Sequence, residues 1–391
     1  MVLHLFKLIW NRKKQNFLLM LEIFVSFLVL FAIFTLSVFY FNNYRRPAGF
    51  EYSNVWAVNY GLPQGIKSGD SVRMLMSSLK NSIVSLPEVE DMSFTAVNIP
   101  YSASSHNTSV SYNGKSLMSD IYMADREYAR VLKLSMQSGG WPSAAGNSTG
   151  GGRIVLNNTI KEKLFGNERV IGKKIKIDKE DMEIAGVVND IKSKGDYQEA
   201  GNGIYMIPDS IDHRDQNIML IKVKQGTGAA FEARLYKLVS DFSESTSVEI
   251  EHLSKKRDAK NNLTLIPMFI LLVVAAFLII NVALGLFGVL WYTINRRKAE
   301  IGLRRAIGAS GNAVSRQVAG EAVMLATVSV LAGSFFALQF PLLNVFDLAS
   351  NVYLAAMLLS VIFIYILVIL CTVYPAKQAA AIYPALALHE E

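Results

Sequence analysis

The chain has 391 residues, 51% of them hydrophobic and 18% charged, with a mean hydropathy of +0.29. Soluble domains rarely average so apolar, so an ordinary single soluble domain is excluded and membrane spans are expected. The net charge of +7 does not argue for nucleic acid, because much of the excess sits at the edges of apolar segments, where membrane topology accounts for it.

In chain order, Leu3, Phe6, Ile9 and Trp10 recur at helical spacing beside Lys7 and Arg12. Residues 1–16 therefore read as an amphipathic helix lying at the membrane surface. An apolar segment follows over 17–41, long enough to cross a bilayer. It is not a cleavable leader, since Phe39, Tyr40 and Phe41 offer no small-residue cleavage site. Glu22 near its start can snorkel to the surface or face another helix. Three further spans are expected over 263–292, 318–340 and 352–374, with a short loop at 341–351.

The first span precedes an insert over 42–262 that is close to balanced in charge. The insert reads as an α+β domain of two subdomains. YSNVWAVNY, 52–60, alternates like a strand. Over 71–85, Val72, Leu75, Met76, Leu79 and Ile83 share one helical face, and Pro87 ends the helix. Residues 92–99 read as a strand, and 110–122 as a hairpin turning at Asn113-Gly114. A helix is expected over 126–134, and the Gly/Ser/Ala-rich stretch 139–152 as a loop between subdomains. RIVLNNTIKEKLFG, 153–166, reads as a strand, an Asn cap and a short helix closed by Gly. A charged-tip hairpin over 173–189, strands over 204–207, 218–223 and 248–252, and a helix over 229–242 complete the insert. The polar stretch 255–262 can continue as helix into the second span, which Pro267 and Asn281 interrupt as a bend or an interhelical hydrogen bond.

Charge sets the orientation. Lys7, Arg12, Lys13 and Lys14 precede the first span, and Arg296, Arg297, Lys298, Arg304, Arg305 and Arg316 lie between the second and third. The positive-inside rule places both termini and the 293–317 loop in the cytoplasm and the insert outside. Within that loop, RRKAEIGLRRAIGAS, 296–310, is amphipathic. At about 100° per residue, Ala299, Leu303, Ala306, Ile307 and Val314 fall on one face, and Arg297, Lys298, Arg304 and Arg305 on the other. Glu300 stands four residues before Arg304, the favourable order for an ion pair. Such a helix can dock on a soluble partner, or it can rest on lipid.

No catalytic or metal-binding pattern stands out. The five histidines are scattered, and the single cysteine, Cys371, lies inside the last span. Asp178, Glu180, Asp181 and Glu183 cluster at a hairpin tip, where a solvated turn explains them. GNERVIGKK, 166–174, fails as a phosphate loop, having one residue too many between its glycines and Lys174 where Ser or Thr must reach magnesium. No residue cluster in the insert presents itself as a binding site.

Three pieces together resemble one family. AEIGLRRAIGAS (299–310) resembles the signature loop of ABC-transporter permeases of the MacB/FtsX/lipoprotein-release type. IVLNNTIKEKLFG, VIGKKIKI and EIAGVVNDIKS (within 154–193) are similar to the characteristic end of that family's periplasmic domain, and YPAKQAAAIYPALALHEE (374–391) to its closing segment. The layout of four spans with a large insert after the first also matches. The resemblance implies a non-enzymatic subunit that pairs with a second permease chain, identical or not, and recruits two cytoplasmic ATPase subunits. These partners, as separate polypeptides, would hold ATP and magnesium, with no cofactor on this chain. The coupling helix would contain Glu300, Ile301, Leu303, Arg304, Arg305, Ala306 and Ile307. Leu303 and Ile307 would fill a groove on the ATPase, and Arg304 and Arg305 would meet acidic residues or phospholipid at its rim. Motion would pass through the second span to the outer domain, driving export of a peptide or drug through a periplasmic adaptor, or release of a lipoprotein. Regulation of a cell-wall hydrolase or sensor kinase is the alternative output, and a membrane-anchored receptor without an ATPase is the alternative class.

Overall fold

The computed structural model describes residues 13–62, 69–142, 153–178, 180–207, 217–243 and 248–381. Most of the surface helix expected over 1–16, and the chain beyond residue 381, lie outside those residues. The chain forms two compact units, one of Met1–Phe41 with Leu265–Glu391 and one of Asn42–Thr264.

Helix α1 (Lys13–Tyr44) comes first. The inserted domain follows with β1 (Val55–Asn59), α2 (Gly69–Val84), β2 (Val89–Thr95), β3 (Asn107–Tyr112), β4 (Lys115–Met123), α3 (Tyr128–Val131) and β5 (Met136–Gly139). It continues with β6 (Arg153–Asn157), α4 (Asn158–Phe165), β7 (Lys174–Ile177), β8 (Glu180–Val188), β9 (Gly203–Ile207), β10 (Ile218–Val223), α5 (Ala229–Ser243) and β11 (Glu249–His252). Then come α6 (Leu253–Arg296), α7 (Lys298–Ala306), α8 (Gly311–Ala337), α9 (Gln339–Leu342) and α10 (Ser350–Ala380).

The inserted domain holds two sheets. The first is antiparallel, in the order β11-β1-β10-β2. Its central strand β10 is buried along its whole length, which is why IMLIKV lacks a polar alternation. Helices α2 and α5 cover one face, packing Met76, Leu79 and Leu235 against Trp56 and Val58. The other face carries Val55, Ala57 and Leu220 into a second core with Tyr122, Leu132 and Tyr205.

The second sheet is mixed, in the order β5-β8-β6-β9-β4-β3-β7, and β7 also pairs β8, so the sheet closes on itself. Closure gives β7 a second partner, and β5, paired only with β8, is left as an edge strand. Asn157 caps α4 by accepting from the Ile160 amide, and Gly166 (φ +59) ends it. Both features match the local pattern of 153–166. The hairpin β3–β4 turns at Asn113 and Gly114, both at positive φ.

Two local readings change. The stretch 139–152 does not separate subdomains, because β5 before it and β6 after it both pair with β8; residues 143–152 are outside those described. The division falls instead after β2 and before β10, so the closed sheet is inserted within the open one. The helix expected over 126–134 is only one turn, α3. Its neighbour Asp125 accepts from Ser93 Oγ (2.5 Å) and the Phe94 amide (2.9 Å), tying this segment to β2.

In the membrane unit, four described helices are long and apolar enough to span a bilayer. Leu19, Ile23 and Phe27 of α1, Val282 and Leu286 of α6, Ala322 and Ala326 of α8, and Ala356 and Ile364 of α10 form its core. Small residues let these helices approach closely. A Cβ on Gly333 would lie 2.4 Å from the Phe27 ring. Glu22 faces α6 within the same chain, its carboxylate 2.6 Å from where a Gly285 Cβ would stand. The Asn281 amide donates to the Phe277 carbonyl of its own helix at 2.8 Å.

A candidate docking helix and a polar junction

The loop between α6 and α8 is built by three local signals. Helix α6 stops at Arg296, and Arg297 takes the N-cap position of α7. Gly308, at φ +102, ends the next helical stretch, and Ser310 starts α8 by accepting from the Ala313 amide. Gly308 therefore breaks the helical face read from the sequence. Ala299, Leu303, Ala306 and Ile307 remain together and exposed, whereas Val314 is buried on α8.

The inner side of α7 is fastened to its neighbours. Ile301 packs with Ile294, Val314 and Ala379. Arg297 donates to Glu321 of α8 at 2.9 Å, with both side chains about 15% exposed. Arg304 pairs with Glu300 at 2.5 Å, as its spacing predicts, and donates to Gln317 at 2.9 Å. Arg305 donates to the Ala380 carbonyl of α10. Leu303 and Ile307, by contrast, are 51% and 79% exposed. Of the seven residues named for the coupling helix, Ile301 is therefore an anchor to the chain's own helices. Arg304 and Arg305 are engaged internally, and Glu300 supports Arg304. The exposed apolar surface among them is Leu303, Ala306 and Ile307, beside the half-exposed Glu300–Arg304 pair. Sequence reasoning missed Glu321 and Gln317, which fix this helix from α8. A carboxylate inside the third apolar segment was the available signal.

A second polar cluster lies in the inserted domain, at residues adjoining the ends of two spans. Lys192, 5% exposed, donates to the carbonyls of Asn43 (2.8 Å) and Asp196 (3.1 Å). Asn43 donates in turn to the Tyr197 carbonyl at 3.2 Å. The Asp196 carboxylate accepts from Arg257 at 2.5 Å and from Asn261 at 2.8 Å, while its amide donates to Asn261 at 2.9 Å. The Arg257 guanidinium also lies 4.7 Å over the Tyr52 ring. One short loop thus ties the last turn of α1 to the first turns of α6. No local pattern announced it, because its hydrogen-bonded partners are separated by as many as 154 residues.

A four-helix membrane unit, a two-sheet domain inserted after its first helix, and an amphipathic loop helix after its second define a permease architecture. The MacB-like periplasmic core domain model matches residues 17–238, and the FtsX-like permease C-terminal model matches residues 272–384. The chain belongs to the family of permeases that join these two regions. It is 25% identical to the pyoverdine export ATP-binding/permease protein PvdT of Pseudomonas fluorescens, over 87% of this chain and 51% of that protein. It is 23% identical to the macrolide export ATP-binding/permease protein MacB of Bdellovibrio bacteriovorus, over 61% of this chain and 38% of that protein. The chain thus spans about half or less of the length of these relatives. The periplasmic region of MacB from Actinobacillus actinomycetemcomitans aligns with a TM-score of 0.39 at 15% identity, covering 53% of this chain and 92% of that one.

Proposed function

We propose that this chain is the membrane subunit of an ABC exporter and that α7 seats an ATP-binding subunit through Leu303 and Ile307. The observation that carries this reading is the contrast across α7. One side is held by Ile301 and by the Arg297–Glu321 pair, while the other presents two large apolar side chains to solvent. Exposed Leu and Ile beside fixed charges suit a groove on a soluble partner better than a lipid surface, where the arginines would point outward to the headgroups.

In this reading the basic loop and both termini face the cytoplasm of a bacterial cell, and the inserted domain lies outside the cytoplasmic membrane. ATP and magnesium belong to the partner, present as two copies about a pair of permease chains. Closure of that partner moves α7, the motion travels along α6, and the Lys192–Asp196 junction passes it to the inserted domain. The relatives named for pyoverdine and macrolide export favour export as the outer-side task, with an adaptor protein accepting the cargo. A photo-crosslinking side chain at position 307 tests the docking. It should capture an ATP-binding polypeptide in intact cells, and capture of lipid alone overturns the reading.

A further inference from the structure

Beside the polar junction, and wholly within the inserted domain, a cavity of about 660 Å³ opens between the 44–53 loop and Lys192. Its walls include Tyr44, Arg46, Tyr52, Lys133, Lys192 and Arg257. The loop is held in place by the Lys192 amide, which donates to the Ala48 carbonyl at 2.8 Å. Gly49 makes this close approach possible, since at φ +83 a Cβ there would stand 2.3 Å from the Asp190 carbonyl oxygen.

The charges lining this cavity do not balance. Both acids are already engaged. Glu51 sits 2.6 Å from Lys133 and 2.8 Å from Lys222, and Asp196 is held by Arg257 and Asn261. That leaves Arg46 and Lys192. Among the described residues Arg46 pairs with no carboxylate. Lys192 is buried to 5% exposure but is bonded only to two neutral carbonyls, which occupy two of the three donors of an ammonium group. Burial lowers the Lys192 pKa; Asp196 opposes this, and Arg257 and Arg46 add to it. A buried cation with a spare donor, in a cavity whose mouth holds a second cation, is incomplete without an anion.

We propose that this cavity binds a phosphate group, with Lys192 at its floor and Arg46 at its rim, and that the phosphate belongs to an anionic phospholipid headgroup. Chain length supplies the argument for lipid. Tyr44 lies three residues beyond Phe41, the end of the first apolar stretch, or about 5 Å along a helix. Arg257 lies six residues before Leu263, about 9 Å along α6. Tyr44 stacks on Tyr197 with ring centroids 5.6 Å apart, an aromatic pair of the kind found at headgroup level. A headgroup held here would sit against the loop that ties α1 to α6. The inference does not depend on the docking role of α7.

The test uses the purified full chain in detergent, with bound lipid counted by native mass spectrometry after addition of phosphatidylglycerol, uncharged diacylglycerol or inorganic phosphate. Phosphatidylglycerol should be retained at one site per chain, diacylglycerol should not, and Arg46→Gln should weaken retention about tenfold, the loss of one charge-assisted bond. Arg46 is exposed, so this variant tests binding without threatening the fold; Lys192→Met should act in the same direction. Inorganic phosphate that displaces phosphatidylglycerol at low concentration would support the phosphate chemistry and assign it to a soluble ligand in place of lipid. Equal retention of phosphatidylglycerol and diacylglycerol, or retention unchanged in Arg46→Gln, overturns the proposal.

Discussion

Arg297 and Glu321 stand 24 residues apart, yet one guanidinium nitrogen lies 2.9 and 3.2 Å from the two carboxylate oxygens. The pair joins the start of α7 to α8. Removing one partner leaves a largely buried charge without its counter-ion, at a cost of about 3 kcal/mol. Glu321→Gln should therefore loosen α7, and trypsin should cut after Arg304 and Arg305 several-fold faster in the full chain. The exchange Arg297→Glu with Glu321→Arg should restore much of the protection. No change in cleavage would mean that Ile301 and its apolar neighbours hold the helix alone.

Gly333 marks a close approach of α8 to α1. A methyl group there would stand 2.4 Å from the Phe27 ring, which is fully buried and cannot swing away. Gly333→Ala should destabilise the helix bundle by about 1–3 kcal/mol, as overpacking does. Thermal melting in detergent should show the loss, and Phe27→Leu in the same chain should recover part of it. Gly285→Ala should be much milder, because the atom its Cβ meets is the end of the flexible Glu22 side chain.

Asp196 receives Arg257 and Asn261 at the junction. Asp196→Ala should leave the ATP-binding partner bound, since α7 is untouched, while export falls at least tenfold. Copurification and an export assay on the same cells separate the two effects. Loss of both together would place Asp196 in folding instead of force transfer.

Asp125 gives a pH signature. Burial raises its pKa from the ordinary 3.8 to about 6, against the opposing effects of Lys80 and of hydrogen bonds from Ser93 and Phe94. A carboxyl with a raised folded-state pKa binds its proton more tightly when folded. Its contribution to stability is therefore greatest at low pH and declines as pH rises from about 4 through about 6. The melting temperature of the wild-type chain, relative to Asp125→Asn, should fall across that window and level off above it. A relative rise across the window would show that Lys80 dominates instead.

Much of the fold was legible wherever a signal is local. The strand, Asn157 cap and Gly166 stop of 153–166, the turn at Asn113-Gly114, the buried face of α2 and the four apolar helices all follow from neighbours a few residues apart. Closure of the second sheet through β7 and β8, and insertion of that sheet between β2 and β10, depend on long-range pairing that no periodicity encodes. At the candidate site, Leu303 and Ile307 were legible from helical spacing, and the Glu300–Arg304 pair from its i to i+4 order. Val314 was misplaced because the helical period was carried across Gly308, whose positive φ ends the helix. The roles of Glu321, Gln317 and the Ala380 carbonyl, and the whole of the Lys192–Asp196 junction, required the packed chain.

The central claim is that α7 is a docking surface, and the stoichiometry of a copurified ATP-binding subunit tests it most directly. The tagged full chain should be isolated in mild detergent as wild type, as Leu303→Asp with Ile307→Asp, and as Leu342→Asp, an equally exposed apolar control outside the loop helix. The account predicts a stoichiometric ATP-binding polypeptide with the wild type and the control, and its loss from the double variant with the permease still in the membrane. Equal copurification with all three chains, or an ATP-binding partner found with none, would contradict it.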